Sequence, residues 1–303
     1  MDWKTEIGAA AKRISGYAQI TPVMQSSLAG YPVELKLEHM QHTGSFKPRG
    51  AFNTLLGSDV PSAGVVAASG GNHGAAAAYA AGVLGYPAKI FVPEIAGPSK
   101  IALIEQIGAD LTVVPGEYAN ALSAARDHET ASGAMQIHAY DAPATVAGQG
   151  TCFAEWEAQG LKADTVLIAV GGGGLIAGAL AWFQGARKVI AVEPETSCAL
   201  HAALQARTLV DVSVSGIAAN ALGARRIGQI CFDLAQGMTS VLVSDDAIAQ
   251  AQKTLWQSHR ILVEPAGAAA LAALTSGVYV PEPDERVAVL ICGGNIAPDP
   301  FVG

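Results

Sequence analysis

Short apolar, β-branched runs alternate along this chain with alanine-rich stretches, and most of the runs stop at a glycine or a proline. "VELKL", "GVVAAS", "AKIFV", "DLTVV", "TVLIAV", "KVIAVE" and "RVAVLIC" read as strands. Runs that are apolar at nearly every position suit strands covered on both faces. "HGAAAAYAAGVLG" and "ALIEQIG" read as helices between them. Strand, helix, strand in repetition predicts an α/β fold built on parallel sheets, each layered between helices. No low-complexity linker divides the chain and no repeat of roughly 20–50 residues is visible, so a second domain is expected as an insertion in the first.

Composition narrows the function classes. With 303 residues, half of them hydrophobic, 15% charged and 34 glycines, the chain can bury one large core or two joined ones. A net charge of −8 without a Lys/Arg cluster argues against a nucleic-acid partner, whose phosphates need cations to neutralise them. "MDWKTEIGAAAKRI" lacks the apolar core of a signal peptide, and no run approaches about 18 apolar residues. Neither export nor membrane insertion is expected, and a cytoplasmic location is. Cys152, Cys198, Cys231 and Cys292 are scattered with no C-x-x-C pair. The first three are expected to be buried, reduced thiols, and no metal site is predicted from them.

Candidate chemistry lies in turns that follow strands. "TVLIAV" runs into "GGGGLIAG", where Gly171, Gly172, Gly173 and Gly174 open a helix. Residues without Cβ let backbone N–H groups converge on an anion, and the helix start adds its dipole, so a phosphate cradle is predicted. The turn lacks the G-K-[ST] of a Walker loop; Glu193 downstream keeps a dinucleotide reading open. "ASGGNHG" places Ser69, Gly70, Gly71, Asn72 and His73 at the mouth of the alanine helix, either as caps or as a carboxylate-binding loop. "ICGGNIAP" is a third such turn, with Cys292 at the strand end. In "GSFKPRG", Lys47 precedes Pro48, which excludes a mid-helix position and suits a helix mouth, with Phe46 as its neighbour. A lone lysine is ordinarily a solvated surface group; beside a phosphate cradle it is a candidate Schiff-base former.

Taken in order, "HTGSFKPRGAFN", "ASGGNHG", "VGGGGLIAG", "VEPE", "GARRIG", "LVEPAGAAAL" and "ICGGN" resemble the fold-type II pyridoxal phosphate enzymes, most closely the threonine/serine dehydratases. The resemblance begins at Ile20 and covers nearly the whole chain. It implies two three-layer parallel-sheet domains, with residues 54–141 inserted in a large cofactor-binding domain of residues 1–53 and 142–303. It further implies pyridoxal 5'-phosphate bound covalently to Lys47, with Phe46 against its ring, Asn72 on the ring's 3-oxygen, Gly171–Gly174 on the phosphate and Cys292 facing the pyridine nitrogen. Ser69, Gly70, Gly71 and His73 would receive the carboxylate of an amino-acid substrate. The implied reaction is α,β-elimination from a 3-hydroxy amino acid such as threonine or serine, giving a 2-oxo acid and ammonia, in a homodimer.

Departures from that pattern bear on the alternatives. Racemases of the family carry a second serine where this chain has Gly70. The family's divalent-cation site pairs a glutamate, here Glu193, with an acid at the position of Ala199. Because the sequence runs only a few residues past Asn295, the C-terminal regulatory domain of the allosteric dehydratases is not expected. A racemase, a 3-hydroxyaspartate dehydratase and a non-catalytic cofactor- or nucleotide-binding protein stand as rival readings, and Arg225 or Arg226 could meet a second substrate carboxylate.

Overall fold

The computed structural model describes residues 1–96, 98–116 and 118–296. Ala297 and Pro298 of the "ICGGNIAP" turn, and the chain beyond them, lie outside the described residues. Ten strands are found among these: β1 (Val23–Leu28), β2 (Tyr31–Leu37), β3 (Val65–Ala68), β4 (Ala88–Pro93), β5 (Asp110–Val114), β6 (Met135–Gln136), β7 (Thr165–Ala169), β8 (Lys188–Pro194), β9 (Thr239–Val243) and β10 (Val287–Ile291). All seven sequence-predicted strands are present. The six-stranded sheet runs β1-β2-β10-β7-β8-β9 and the four-stranded sheet β5-β4-β3-β6. The second sheet thus consists entirely of chain that leaves the first after β2 and returns before β7.

One pairing departs from the parallel expectation. β1 runs antiparallel to β2 through a two-residue turn at Ala29 and Gly30, whose φ angles are +53° and +82°. Both turn residues are left-handed, as a hairpin of this length requires. Glycine adopts that conformation freely, but alanine does so rarely, so the hairpin has a weak sequence signal. The remaining pairs are parallel, with Val289 of β10 flanked by Leu35 of β2 and Leu167 of β7.

Burial explains the apolar pattern. Leu35, Leu167, Ile168, Ile190, Val289 and Leu290 are fully buried in the larger core. Helix Pro265–Thr275 is buried from Ala266 through Leu274. In helix Asn72–Leu84, six alanines line the second core, and their small side chains bring the helix close to β3 and β4. Helices apolar all round have no face to give to water and must lie between layers. No helix among the described residues is long and apolar enough to cross a membrane.

Candidate active site

The turns that follow β3, β7 and β10 all leave the carboxyl ends of parallel strands, where open α/β sheets leave a crevice. Helix Lys47–Leu56 opens at the same place. Pro48 sits in its first turn, where the missing N–H costs nothing, and Phe46 is the N-cap. The Phe46 N–H donates to the carbonyl of Cys292 at 3.2 Å and Gly294 N–H to Gly44 O at 2.8 Å. The lysine turn and the "CGGN" turn are therefore stitched together. Thr43 is held at φ +56°, with its carbonyl accepting from Asn295 Nδ2 at 2.7 Å.

Lys47 Nζ donates to the carbonyl of Ala139 at 2.9 Å and lies 5.1 Å from the centre of the Phe46 ring. Burial pushes the Lys47 ammonium down to about 8, the lost hydration outweighing the pull of Cys292 and Glu264. An amine in that range supplies both a nucleophile and a base near neutral pH.

Its foundation is a buried charge cluster. The Arg49 fork meets both oxygens of Glu38, at 2.8 and 2.7 Å, and Arg49 Nη2 also reaches Glu155 at 2.9 Å. Lys36 Nζ completes the set at 2.6 Å from Glu155. Two cations face two anions, and Lys36, Glu38 and Arg49 are at most 2% exposed. Burial alone would raise the Glu38 carboxyl, but the Arg49 guanidinium and the Thr21 hydroxyl hold it below its ordinary value.

The four glycines have a firmer reason than the turn geometry expected for them. Only Gly173 has a left-handed φ, at +92°. A Cβ on Gly171 would lie 2.9 Å from Leu222 Cα, one on Gly172 would enter the Tyr140 ring, and one on Gly174 would lie 2.9 Å from Tyr140 Cα. On Gly173 it would meet Cys231 Sγ at 2.6 Å. Backbone of Tyr140 and Leu222 and side chains of Tyr140 and Cys231 pack against one side of this loop, so a side chain is excluded there. On the other side, the N–H groups of Gly171, Gly172, Gly173 and Gly174 meet no protein acceptor among the described residues. These four donors, followed by the start of helix Gly174–Phe183, suit a phosphate, whose negative charge the helix terminus also favours.

The "SGGNHG" turn is tightly packed. Ser69 Oγ accepts from Gly71 N–H at 3.2 Å, and a Cβ on Gly70 would run into Ala96 Cβ and lie 2.9 Å from Val92 Cγ1. His73 Nε2 pairs with the Ile137 carbonyl at 2.9 Å. Burial and the neighbouring Lys47 hold the His73 imidazolium down to about 3. It is therefore a neutral ring that donates to a carbonyl, and it brings no positive charge to a carboxylate. Asn72 Nδ2 donates to Glu264 at 2.5 Å, and Asn72 Oδ1 accepts from Asn295 Nδ2 at 2.8 Å.

Cys292 Sγ donates to Ala266 O at 3.3 Å, and burial pushes its thiol well up. It is a neutral sulfur at the end of β10. The four cysteines are free, but Cys198 is half-buried and not in the core as expected.

Two other candidate side chains are already engaged with protein groups. Arg226 pairs with Asp211 at 2.6 Å on the surface. Glu193 is fully buried and accepts from the N–H groups of Leu200 and His201, each at 2.8 Å. Burial pushes its carboxyl up to about 7 despite those bonds. Among the described residues no cluster of three or more His, Cys, Asp or Glu side chains is arranged to hold a metal. Residues the sequence did not single out include Ala139, Tyr140, Glu264 and the Arg49 cluster. Of these, Lys36 near the end of β2 and Glu38 in the turn just after it were a visible signal of paired buried charge.

Comparison with known proteins follows the same lines. The family model described as pyridoxal-phosphate dependent enzyme matches residues 14–293. The phenylserine dehydratase of Ralstonia pickettii is 34% identical over 300 residues, covering 95% of this chain and 92% of that protein. An L-threonine ammonia-lyase of Geobacter sulfurreducens is 33% identical over 278 residues, 89% of this chain and 69% of its own. Among solved structures, maize serine racemase superposes with a TM-score of 0.92 at 29% identity, over 97% of this chain and 93% of that one.

Proposed function

The chain belongs to the pyridoxal-phosphate dependent enzymes, and we propose that within them it is a dehydratase that converts a 3-hydroxy amino acid to a 2-oxo acid and ammonia. Threonine and serine are the first substrates to test. Lys47 would hold the cofactor covalently, Gly171–Gly174 its phosphate, Asn72 its ring oxygen and Cys292 the ring nitrogen, with Phe46 beside the ring. The residues fit that group: four backbone donors await an acceptor beside a helix start, and the one lysine at the mouth is desolvated. When bound, the cofactor supplies an electron sink for the carbon that loses a proton.

The chain's own residues do the rest. As a free amine, Lys47 Nζ would take the α-proton and carry it within the site. The Ser69–Gly71 turn and the first N–H groups of helix Asn72–Leu84 receive the substrate carboxylate, His73 bracing the turn as a neutral ring. Cys292, neutral and already donating to Ala266 O, offers the ring nitrogen no negative charge, which favours prompt loss of the β-hydroxyl over longer-lived carbanion chemistry.

The observation that carries elimination over racemisation is at Gly70. Stereo-inversion needs a second proton donor on the face opposite Lys47, and the space a side chain at Gly70 would use is filled by Ala96 and Val92. We assign residues 54–141 to the smaller unit of a cytoplasmic homodimer; sedimentation would read the dimer directly. The cofactor-loaded protein should release oxo acid and ammonia from L-threonine, L-serine, 3-phenylserine or 3-hydroxyaspartate in a substrate panel. Inversion of serine without oxo acid, or uptake of NAD in place of pyridoxal phosphate, would overturn the reading.

A further inference from the structure

Glu264 occupies a position whose usual role it does not play. It is the N-cap of helix Pro265–Thr275, where a carboxylate ordinarily accepts the helix's own first N–H groups, yet it forms no side-chain capping bond. The residue is 3% exposed, and Oε1 accepts from Asn72 Nδ2 at 2.5 Å. That oxygen fills the space in which a Cβ on Gly293 would stand. The first glycine of "CGGN" therefore exists to admit this carboxylate, and three separate turns converge on it.

The far side of Asn72 is fixed as well. Its Oδ1 accepts from Asn295 Nδ2 at 2.8 Å, and the same Asn295 amide donates to Thr43 O at 2.7 Å. Turning the Asn72 carboxamide over would set a carbonyl oxygen against a carboxylate and a donor against a donor. Only one orientation is consistent with both neighbours. In it Asn72 Nδ2 spends one hydrogen on Glu264 and keeps the second.

We propose that Glu264 is a positioning residue of the cofactor site: it locks the Asn72 carboxamide in the orientation that leaves an N–H donor for the ring oxygen of pyridoxal phosphate. The inference rests on the assignment of Asn72 to that oxygen in the proposed function. Glu264 acts through Asn72, and its effect on cofactor affinity must vanish when Asn72 is removed.

A double-mutant cycle read as the dissociation constant of pyridoxal phosphate, by absorbance titration of the cofactor-free protein, tests this. Glu264→Ala should weaken binding roughly ten- to a hundredfold, the range for losing a hydrogen bond to a charged group. In an Asn72→Ala background the same change should alter it less than about twofold. Glu264→Gln keeps a neutral acceptor of the same shape and should fall between, about fivefold weaker than wild type. Equal losses with and without Asn72 would overturn the proposal, as would wild-type affinity in Glu264→Ala. Should Glu264→Ala fail to fold, Glu264→Gln decides alone, and wild-type affinity there overturns it. An Asn72→Ala protein that binds like wild type would instead sink the Asn72 assignment beneath it.

Discussion

Arg49→Met should unfold this protein more readily and make its stability depend on pH in a direction opposite to the wild type. Arg49 gives Glu38 two hydrogen bonds and the charge that balances it, while Lys36 is engaged with Glu155. Methionine fills much of the volume but leaves the 0% exposed Glu38 with the Thr21 hydroxyl and no guanidinium. Removing one partner of a buried pair costs about 3–5 kcal/mol, a large share of the roughly 5–15 kcal/mol that folds a domain. In the wild type the Glu38 carboxyl sits below its ordinary 4.5. Its contribution is complete above that value and lost as pH falls through the folded one. In Arg49→Met only the Thr21 hydroxyl and the more distant Lys36 charge still oppose burial, so the folded value rises above the unfolded one. The variant then loses stability as pH rises through it and recovers as Glu38 takes a proton. Urea denaturation followed by circular dichroism at about pH 5 and about pH 8 should show the larger deficit at the higher pH. A deficit under about 1 kcal/mol, or one equal at both pH values, would refute the reasoning, since an exposed pair behaves that way.

Other outcomes follow from the same coordinates. The rate at which cofactor-free protein takes up pyridoxal phosphate should rise with pH and level off above about 8, where Lys47 is a free amine; stopped-flow absorbance would read it, and a plateau only near the ordinary lysine value would contradict it. Gly174→Ala pushes a methyl against the backbone of Tyr140, next to the Ala139 carbonyl that holds Lys47, so it should cost roughly 1–3 kcal/mol in denaturation and weaken cofactor binding. Gly70→Ser should lower stability by a similar amount, roughly 1–3 kcal/mol, because Ala96 and Val92 stand in the way; chiral chromatography of serine incubated with it should show no inversion.

What could be read without coordinates were the elements whose chemistry is local. β3, β7 and β10 announce themselves as β-branched runs that stop at glycine, and each delivers a turn to the crevice. Pro48 alone places Lys47 at a helix mouth, and the helix begins at Lys47. β1, β6 and β9 escaped, because "VMQSSL" and "TSVLV" mix polar and apolar positions at sheet edges and "MQ" is only two residues long. The glycines of "GGGG" were visible, but the packing that demands three of them comes from Tyr140 and Leu222. Such contacts, like the pairing of Asn72 with Glu264 across 192 positions, leave no periodic trace in a single sequence. The charges of Lys36, Glu38 and Arg49 did leave one, in a strand, the turn that follows it and a helix start whose surroundings are buried.

The central claim is that Lys47 holds the cofactor. Pyridoxal phosphate should be added to the protein, reduced with borohydride and the fixed adduct located by peptide mass spectrometry. The label should lie on the peptide containing Lys47 and be absent from Lys47→Ala, which should also lose its visible absorbance band. A label on another lysine, or a band that survives Lys47→Ala, would contradict the account.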